Sequence, residues 1–276
     1  MRLPLLVLCV SLTWTAHALP PASGAGATPV KPSSDECCAV LELRQYTLRE
    51  GQRDVLVSLF EREFIESQEE RGARLVGQFR DAARPERFVW LRGFSDMVAR
   101  EAALRSFYGS PVWKAHREAA NATMLDSSNV LLLKPLPGRR GFPAPAQARP
   151  GAEARELPGS LIVATLLHRD APVDAAFVEY VEGKLVPELT KAGATPLAVF
   201  QSEHATNTFP ALPVREGEHV VVYFTRFASR EAYRAHVERL EGSRGWKETV
   251  RPGLRARLKA EPETLLLEPT ARSRLR

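Results

Sequence analysis

A chain of 276 residues has room for one large domain or two small ones. Its 44% apolar and 26% charged residues suit an ordinary core and surface, which excludes a disordered or fibrous chain. The 38 basic and 33 acidic residues, net +5, are interspersed, and no basic run alternates with aromatics, so a nucleic-acid groove is disfavoured.

Met1-Arg2, the apolar residues 3–15 and the small-x-small site Ala16-His17-Ala18 read as a secretory signal peptide over residues 1–18, cleaved after Ala18. An uncleaved N-terminal anchor is the other reading. No later segment is apolar for long enough to span a bilayer, so the mature chain is expected to be exported, periplasmic or secreted, with no transmembrane segment. Residues 19–38, rich in Pro, Ala, Gly and Ser, read as a flexible lead-in. Cys9 leaves with the leader. Cys37 and Cys38 are adjacent, badly placed to bridge each other, and have no partners at metal-ligand spacing. Two thiols are expected there, with a bridge between two chains as the alternative.

The alternation in residues 39–46 predicts a strand with Leu41 and Leu43 on one face and Glu42, Arg44 and Tyr46 on the other. Leu56, Phe60 and Phe64 give residues 52–68 the apolar stripe of a helix. Residues 75–80 and 87–93 read as strands. Asp96 is a suitable N-cap for a helix through Phe107, and Pro111 opens a shorter one to about Asn121. Residues 130–133 are a buried strand stopped by Pro135. After the Pro/Ala/Arg-rich residues 137–159, read as a linker, the order returns. Strands are expected at 161–167, 197–201, 220–224 and 265–267, and helices at 174–191 and 230–240. A helical stretch over 246–258 is expected to break near Pro252.

The return is also visible in the residues. Gly109-Ser110-Pro111-Val112-Trp113-Lys114 comes back 133 positions later as Gly242-Ser243-Arg244-Gly245-Trp246-Lys247, and Trp90, Phe94 and Ala102 map to Tyr223, Phe227 and Ala235. A repeat of this kind predicts a tandem duplication. The fold class is then α+β: two ferredoxin-like β-α-β-β-α-β repeats, residues 39–136 and 160–269, packed sheet-to-sheet as an αβ barrel, with residues 270–276 as a tail.

Glu42-Leu43-Arg44-x-Tyr46, Trp90-Leu91-Arg92-Gly93-Phe94, Trp113-Lys114-x-His116-Arg117-x-x-Ala120-Asn121 and Ser128-Asn129-Val130-Leu131-Leu132 resemble the NIPSNAP family. The resemblance is strong over residues 39–135 and fainter over 159–269. It implies ferredoxin-like units that assemble as αβ barrels, often in tandem, similar in fold to the antibiotic-biosynthesis monooxygenases. Many members have no assigned reaction, so it implies a fold more than an activity.

No phosphate-binding glycine loop, zinc helix motif, paired-cysteine motif or nucleophile elbow is present, and neither metal nor cofactor is expected. The candidate ligand residues are Glu42, Arg44, Tyr46, Trp90, Arg92, His116, Arg117 and Asn121. In a barrel the Glu42–Arg44–Tyr46 face is expected to look inward. A buried guanidinium there needs either a structural partner such as Glu42 or an anionic or carbonyl ligand. Trp113 and Trp246, present in both repeats, read as packing residues. His116, Arg117 and Asn121 stand at helical spacing, and Thr249 and Val250 replace the first two in the second repeat. They read as a polar helix end or as a site that one half has kept. The function expected is an exported small-molecule-binding or structural module without catalysis, taking a small apolar or anionic ligand. A cofactor-free monooxygenase-like enzyme and a protein-interaction module are the alternatives, and a homodimer is the oligomer considered.

Overall fold

A computed structural model of the protein describes residues 38–144 and 147–276. The expected signal peptide and nearly all of the lead-in lie outside the described residues. Strand β1 (Val40–Leu48) is followed by helix α1 over residues 53–69, then β2 (Arg74–Asp81) and β3 (Arg87–Phe94). Helices α2 (Met97–Tyr108) and α3 (Pro111–Thr123) lead to the short β4 (Met124–Asp126) and to β5 (Val130–Pro135). The second run is β6 (Leu161–Arg169), α4 over residues 175–191, β7 (Ala198–Ser202), β8 (His219–Phe227), α5 (Arg230–Gly242), α6 over residues 244–255 and β9 (Glu263–Pro269).

Eight of these strands close into an antiparallel barrel in the order β3-β2-β9-β6-β8-β7-β5-β1, and β1 pairs β3 to complete the circle. The two runs therefore do not stack as separate sheets. They join edge to edge, at β2–β9 (Phe79 opposite Pro269) and at β5–β7 (Leu133 opposite Ser202). Closure leaves no unpaired edge in the ring, and an eight-stranded barrel is just wide enough for its inward side chains to fill. Leu41, Leu43, Val89, Leu91, Ile162, Ala164, Val222 and Phe224 fill it here. Phe142, from the segment between the two runs, enters the same core and packs on Phe200 and Phe224 with ring centroids 5.3 and 5.0 Å away.

The outward face of each half is covered by its own helices. Phe60, Phe64, Phe88, Trp90 and Phe107 form one such layer, and Leu167, Phe177, Val181, Leu185 and Tyr223 another. The alternation along β1 is as expected, but its sense is reversed. Leu41 and Leu43 point into the barrel, and Glu42, Arg44 and Tyr46 point outward under the helices. The apolar side chains take the dry interior, and the charged ones lie where helix side chains can reach them.

Helix α1 contains a π turn at Phe60–Phe64 and α4 one at Val181–Leu185. Strand and π turn both recur 121 residues on (40 to 161, 60 to 181). A third π turn, Trp246–Val250, precedes Pro252 in α6. The break expected at Pro252 does not occur, and the helix runs through Arg255. The wider π turn ends just before the proline, which occupies the first turn of the α-helical segment Arg251–Arg255. Cys38 is disulfide-bonded, which corrects the expectation of a free thiol, while Cys9 and Cys37 lie outside the described residues.

Candidate functional site

Antiparallel pairing sets Glu42 opposite Arg92 and Arg44 opposite Trp90, on the outward face of β1 and β3. All four side chains are buried, and Glu42, Arg44 and Arg92 have no measurable exposure. Helix α2, capped by the Asp96 carboxylate accepting from the Ala99 amide, lowers Arg100 into the same space.

The three guanidiniums converge on one carboxylate. Glu42 Oε2 accepts from Arg44 Nη1 at 2.9 Å and from Arg92 Nε and Nη2 at 3.0 and 2.6 Å. Its Oε1 accepts from Arg100 Nε at 2.7 Å. Around this centre Arg44 Nε donates to the Tyr46 hydroxyl at 3.0 Å and Arg92 Nη1 to Gln68 Oε1 at 2.7 Å. Arg44 and Arg92 also lie over the Trp90 ring, 5.4 and 4.9 Å from its centroid. Burial pushes the Glu42 carboxyl up, but Arg92, Arg44 and Arg100 outweigh it and hold the group well below the usual carboxylate range. Burial works against the Arg44 cation, yet Tyr46 and Glu42 hold its pKa above the ordinary value. Burial raises the Tyr46 phenol, which stays neutral.

The cluster is not balanced. Glu42 is the one carboxylate ion-paired to these three arginines among the described residues, which leaves two positive charges in excess. Arg44 Nη2, Arg100 Nη2 and Trp90 Nε1 are buried donors without a partner. Buried charge without an opposite charge is costly, and buried donors are normally paired. The arrangement thus has both the charge and the free donors to hold a small anion.

A loop of the second half forms the roof. Residues 203–218 join β7 to β8 and reach across to α2. Asn207 Oδ1 accepts from Arg100 Nη1 at 3.0 Å, Phe209 stacks on Tyr108 with centroids 5.7 Å apart, and Thr208 Oγ1 donates to the Met97 carbonyl at 3.5 Å.

Of the residues singled out in the sequence, Glu42, Arg44, Tyr46, Trp90 and Arg92 come together here. Three do not. Arg117 and Asn121 are exposed on α3, and His116 is half-buried between α3 and α1, its ring against Phe64 and its Nε2 3.4 Å from Glu63 Oε2. Trp113 packs on Phe64, Phe107 and Tyr108, as a packing residue would. Arg100, Gln68 and Asn207 were missed. Two of them carry a signal: Gln68 continues the spacing of Leu56, Phe60 and Phe64, and Arg100 shares the buried side of its helix with Ala103, Leu104 and Phe107. A polar residue in a buried stripe marks a partner to be found. No group of His, Cys, Asp and Glu suited to a metal occurs among the described residues.

The outward polar cluster and its helical cover fall within one stretch of sequence, and that stretch has a family. Residues 41–138 match the NIPSNAP family. No curated protein matches the chain in sequence. Among solved structures, a candidate monooxygenase from Fusobacterium nucleatum subsp. nucleatum superposes with a TM-score of 0.52 at 11% identity, covering 84% of this chain and 92% of its own. An anthrone oxidase-like protein superposes with a TM-score of 0.50 at 12% identity, covering 84% and 91%. A NIPSNAP-like domain protein from Burkholderia xenovorans is 26% identical over 40% of this chain and 95% of its own, with a TM-score of 0.35. The first two likenesses span both halves and extend the fold, not an activity, beyond the NIPSNAP segment.

Proposed function

We propose that this protein is an exported, non-catalytic αβ barrel that binds a small molecule by an anionic group, at the Glu42–Arg44–Arg92–Arg100 cluster of the NIPSNAP segment. The observation that carries the reading is the excess of two buried positive charges beside three unpartnered donors. The second half is read as a duplicate of the first that has kept the scaffold and lost the charges. Strand pairing supports this: Glu42 faces Arg92 across β1 and β3, and Val163 faces Thr225 across β6 and β8. Export rests on the leader pattern of residues 1–18. Both seams of the barrel are made within one chain, so the reading requires no second copy. An oxygenase reading would rest on likeness of fold alone.

The test is native mass spectrometry of the protein purified from its own host, with N-terminal sequencing of the same sample. The expected result is a chain beginning near Leu19 that retains a small anion. A variant carrying Glu42→Leu, Arg44→Met, Arg92→Met and Arg100→Met is expected to lose that mass. Its stability should stay level or rise by about 1–4 kcal/mol, as when buried ion clusters give way to apolar packing. Retention of the same molecule by the fourfold variant would remove the cluster from the function.

A further inference from the structure

A cavity lies at one mouth of the barrel, away from the closed cluster under the helices. It measures about 870 Å³, within the range of small-molecule sites. Its apolar floor continues the interior core: Val76 and Phe142 belong to that core, Leu275 packs against it, and Leu197 completes the surface. Its rim is basic. Arg74, Arg226, Arg274 and Arg276 line it against one acidic side chain, Glu156.

These guanidiniums are incompletely used. Arg74 is half-buried and has no hydrogen-bond or ion-pair partner among the described residues. Arg274 Nη2 reaches Glu69 Oε2 at 3.2 Å while its Nε is a buried donor with none. Arg226 Nε donates to the main-chain oxygen of Arg276 at 2.6 Å, and Arg276 Nη2 to Gln147 Oε1 at 3.2 Å. An apolar floor excludes a fully hydrated anion, and an arginine rim excludes a fully apolar guest. A molecule with an apolar body and one anionic end satisfies both.

We infer that this mouth is a second ligand site, which takes an amphipathic anion of the class of long-chain carboxylates. The chain packs along Val76, Phe142, Leu197 and Leu275, and the carboxylate meets Arg74 at the rim. The site shares no residue with the buried arginine cluster and stands whether or not that cluster binds a ligand.

Isothermal titration calorimetry with dodecanoate, below its micellar concentration, tests the inference on the full chain. The wild-type protein should bind dodecanoate, and dodecan-1-ol about tenfold more weakly or worse, because the alcohol leaves the rim charges unmet. Arg74→Glu reverses the charge at the rim, and Ala228→Trp fills the exposed mouth without touching the core. Each should weaken dodecanoate binding about tenfold or more while circular dichroism stays unchanged. Arg44→Met, in the buried cluster, should leave dodecanoate binding as it is, which separates this site from the function proposed above. The inference is overturned if wild type does not bind dodecanoate, if dodecan-1-ol binds as well, or if both rim variants bind as wild type does. It is equally overturned if Arg44→Met abolishes binding in a folded protein.

Discussion

At matching places in the two halves the strand register is alike and the chemistry is not. Glu42, Arg44, Trp90 and Arg92 of the first half stand where Val163, Thr165, Tyr223 and Thr225 stand in the second, in the same cross-strand register. Arg100 corresponds to Tyr233 and Gln68 to Leu189. The second half fills the space with apolar groups and hydroxyls. There burial, with Tyr233 nearby, pushes the Tyr223 phenol up to about 12, although Thr165 pulls it down. The scaffold therefore does not need charges between sheet and helices. Three arginines on one glutamate are an addition to the fold and call for another reason.

The sharpest way to break this comparison is to remove the shared carboxylate. Glu42→Gln leaves three buried guanidiniums without a counter-charge and should cost about 3–5 kcal/mol, read as a lower urea midpoint at constant slope. In the second half, Thr225→Val removes one long hydrogen bond to the Val163 carbonyl and should cost about 0.5–1.5 kcal/mol. Equal losses would show that the cluster is no more critical than its apolar counterpart. Because the folded pKa of Glu42 is depressed, its contribution is full above the ordinary carboxylate value near 4.5 and declines as pH falls from there through the lower folded value. An acid titration of stability should show that decline in wild type and lack it in Glu42→Gln.

Asn207→Ala asks whether the second half contributes more than scaffold to the first. The change strips Arg100 of its one partner from the roof loop and should cost about 1.5–3 kcal/mol, with faster amide exchange over residues 203–218. Unchanged exchange would mean that the loop's other contacts hold it, among them Phe209 on Tyr108, Thr208 on Met97 and Arg215 on Asn129 and Val130.

The helix caps themselves should contribute alike in both halves. Ser110 accepts from the Trp113 amide at 3.2 Å and Ser243 from the Trp246 amide at 3.3 Å. Ser110→Ala should cost about 1 kcal/mol, and Ser243→Ala about 1 kcal/mol more, because Ser243 Oγ also donates to Glu188 Oε2 at 2.7 Å. A larger difference between them would argue that the halves do not carry equivalent scaffolds.

The smallest effect belongs to His236, which stands where the first half has Ala103. Its Nδ1 lies 2.9 Å from the Ala192 carbonyl, and burial lowers its pKa below the ordinary 6.5. The unfolded chain thus takes up this proton at a higher pH than the fold does. Stability is full above about pH 6.5 and falls as pH drops from there through the lower folded value. His236→Gln should flatten that slope, and an unaltered slope would place its origin elsewhere.

Much of this was legible in the sequence. The period of two in β1, the stripe of Leu56, Phe60 and Phe64, and the 133-residue echo of Gly109–Lys114 led to the element order and to a barrel. The sense of the β1 faces was not, for a physical reason. In this barrel both faces of a strand are covered, one by the far wall and one by helices, so alternation separates the two sets without saying which is inside. Glu42 with Arg44 could be recognised as a buried pair, but Arg100 and Asn207 come from a helix and a distant loop that only tertiary packing brings to them. The π turns had no signature either. They accompany Pro187 and Pro252 inside helices; the expected helix over 174–191 already runs through Pro187, and only Pro252 reads as a break.

The edge-to-edge seams have a consequence for the order of synthesis. β2 pairs with β9 and β5 with β7, so each seam joins an early strand to a late one. When the first half has left the ribosome, β2 and β5 still present bare backbone along one side, and Leu41, Leu43 and Leu91 face a wall that has not been made. The nascent chain must therefore wait for nearly its last strand before the ring can close. During that interval its bare strand edges and apolar side chains are open to pairing with another chain.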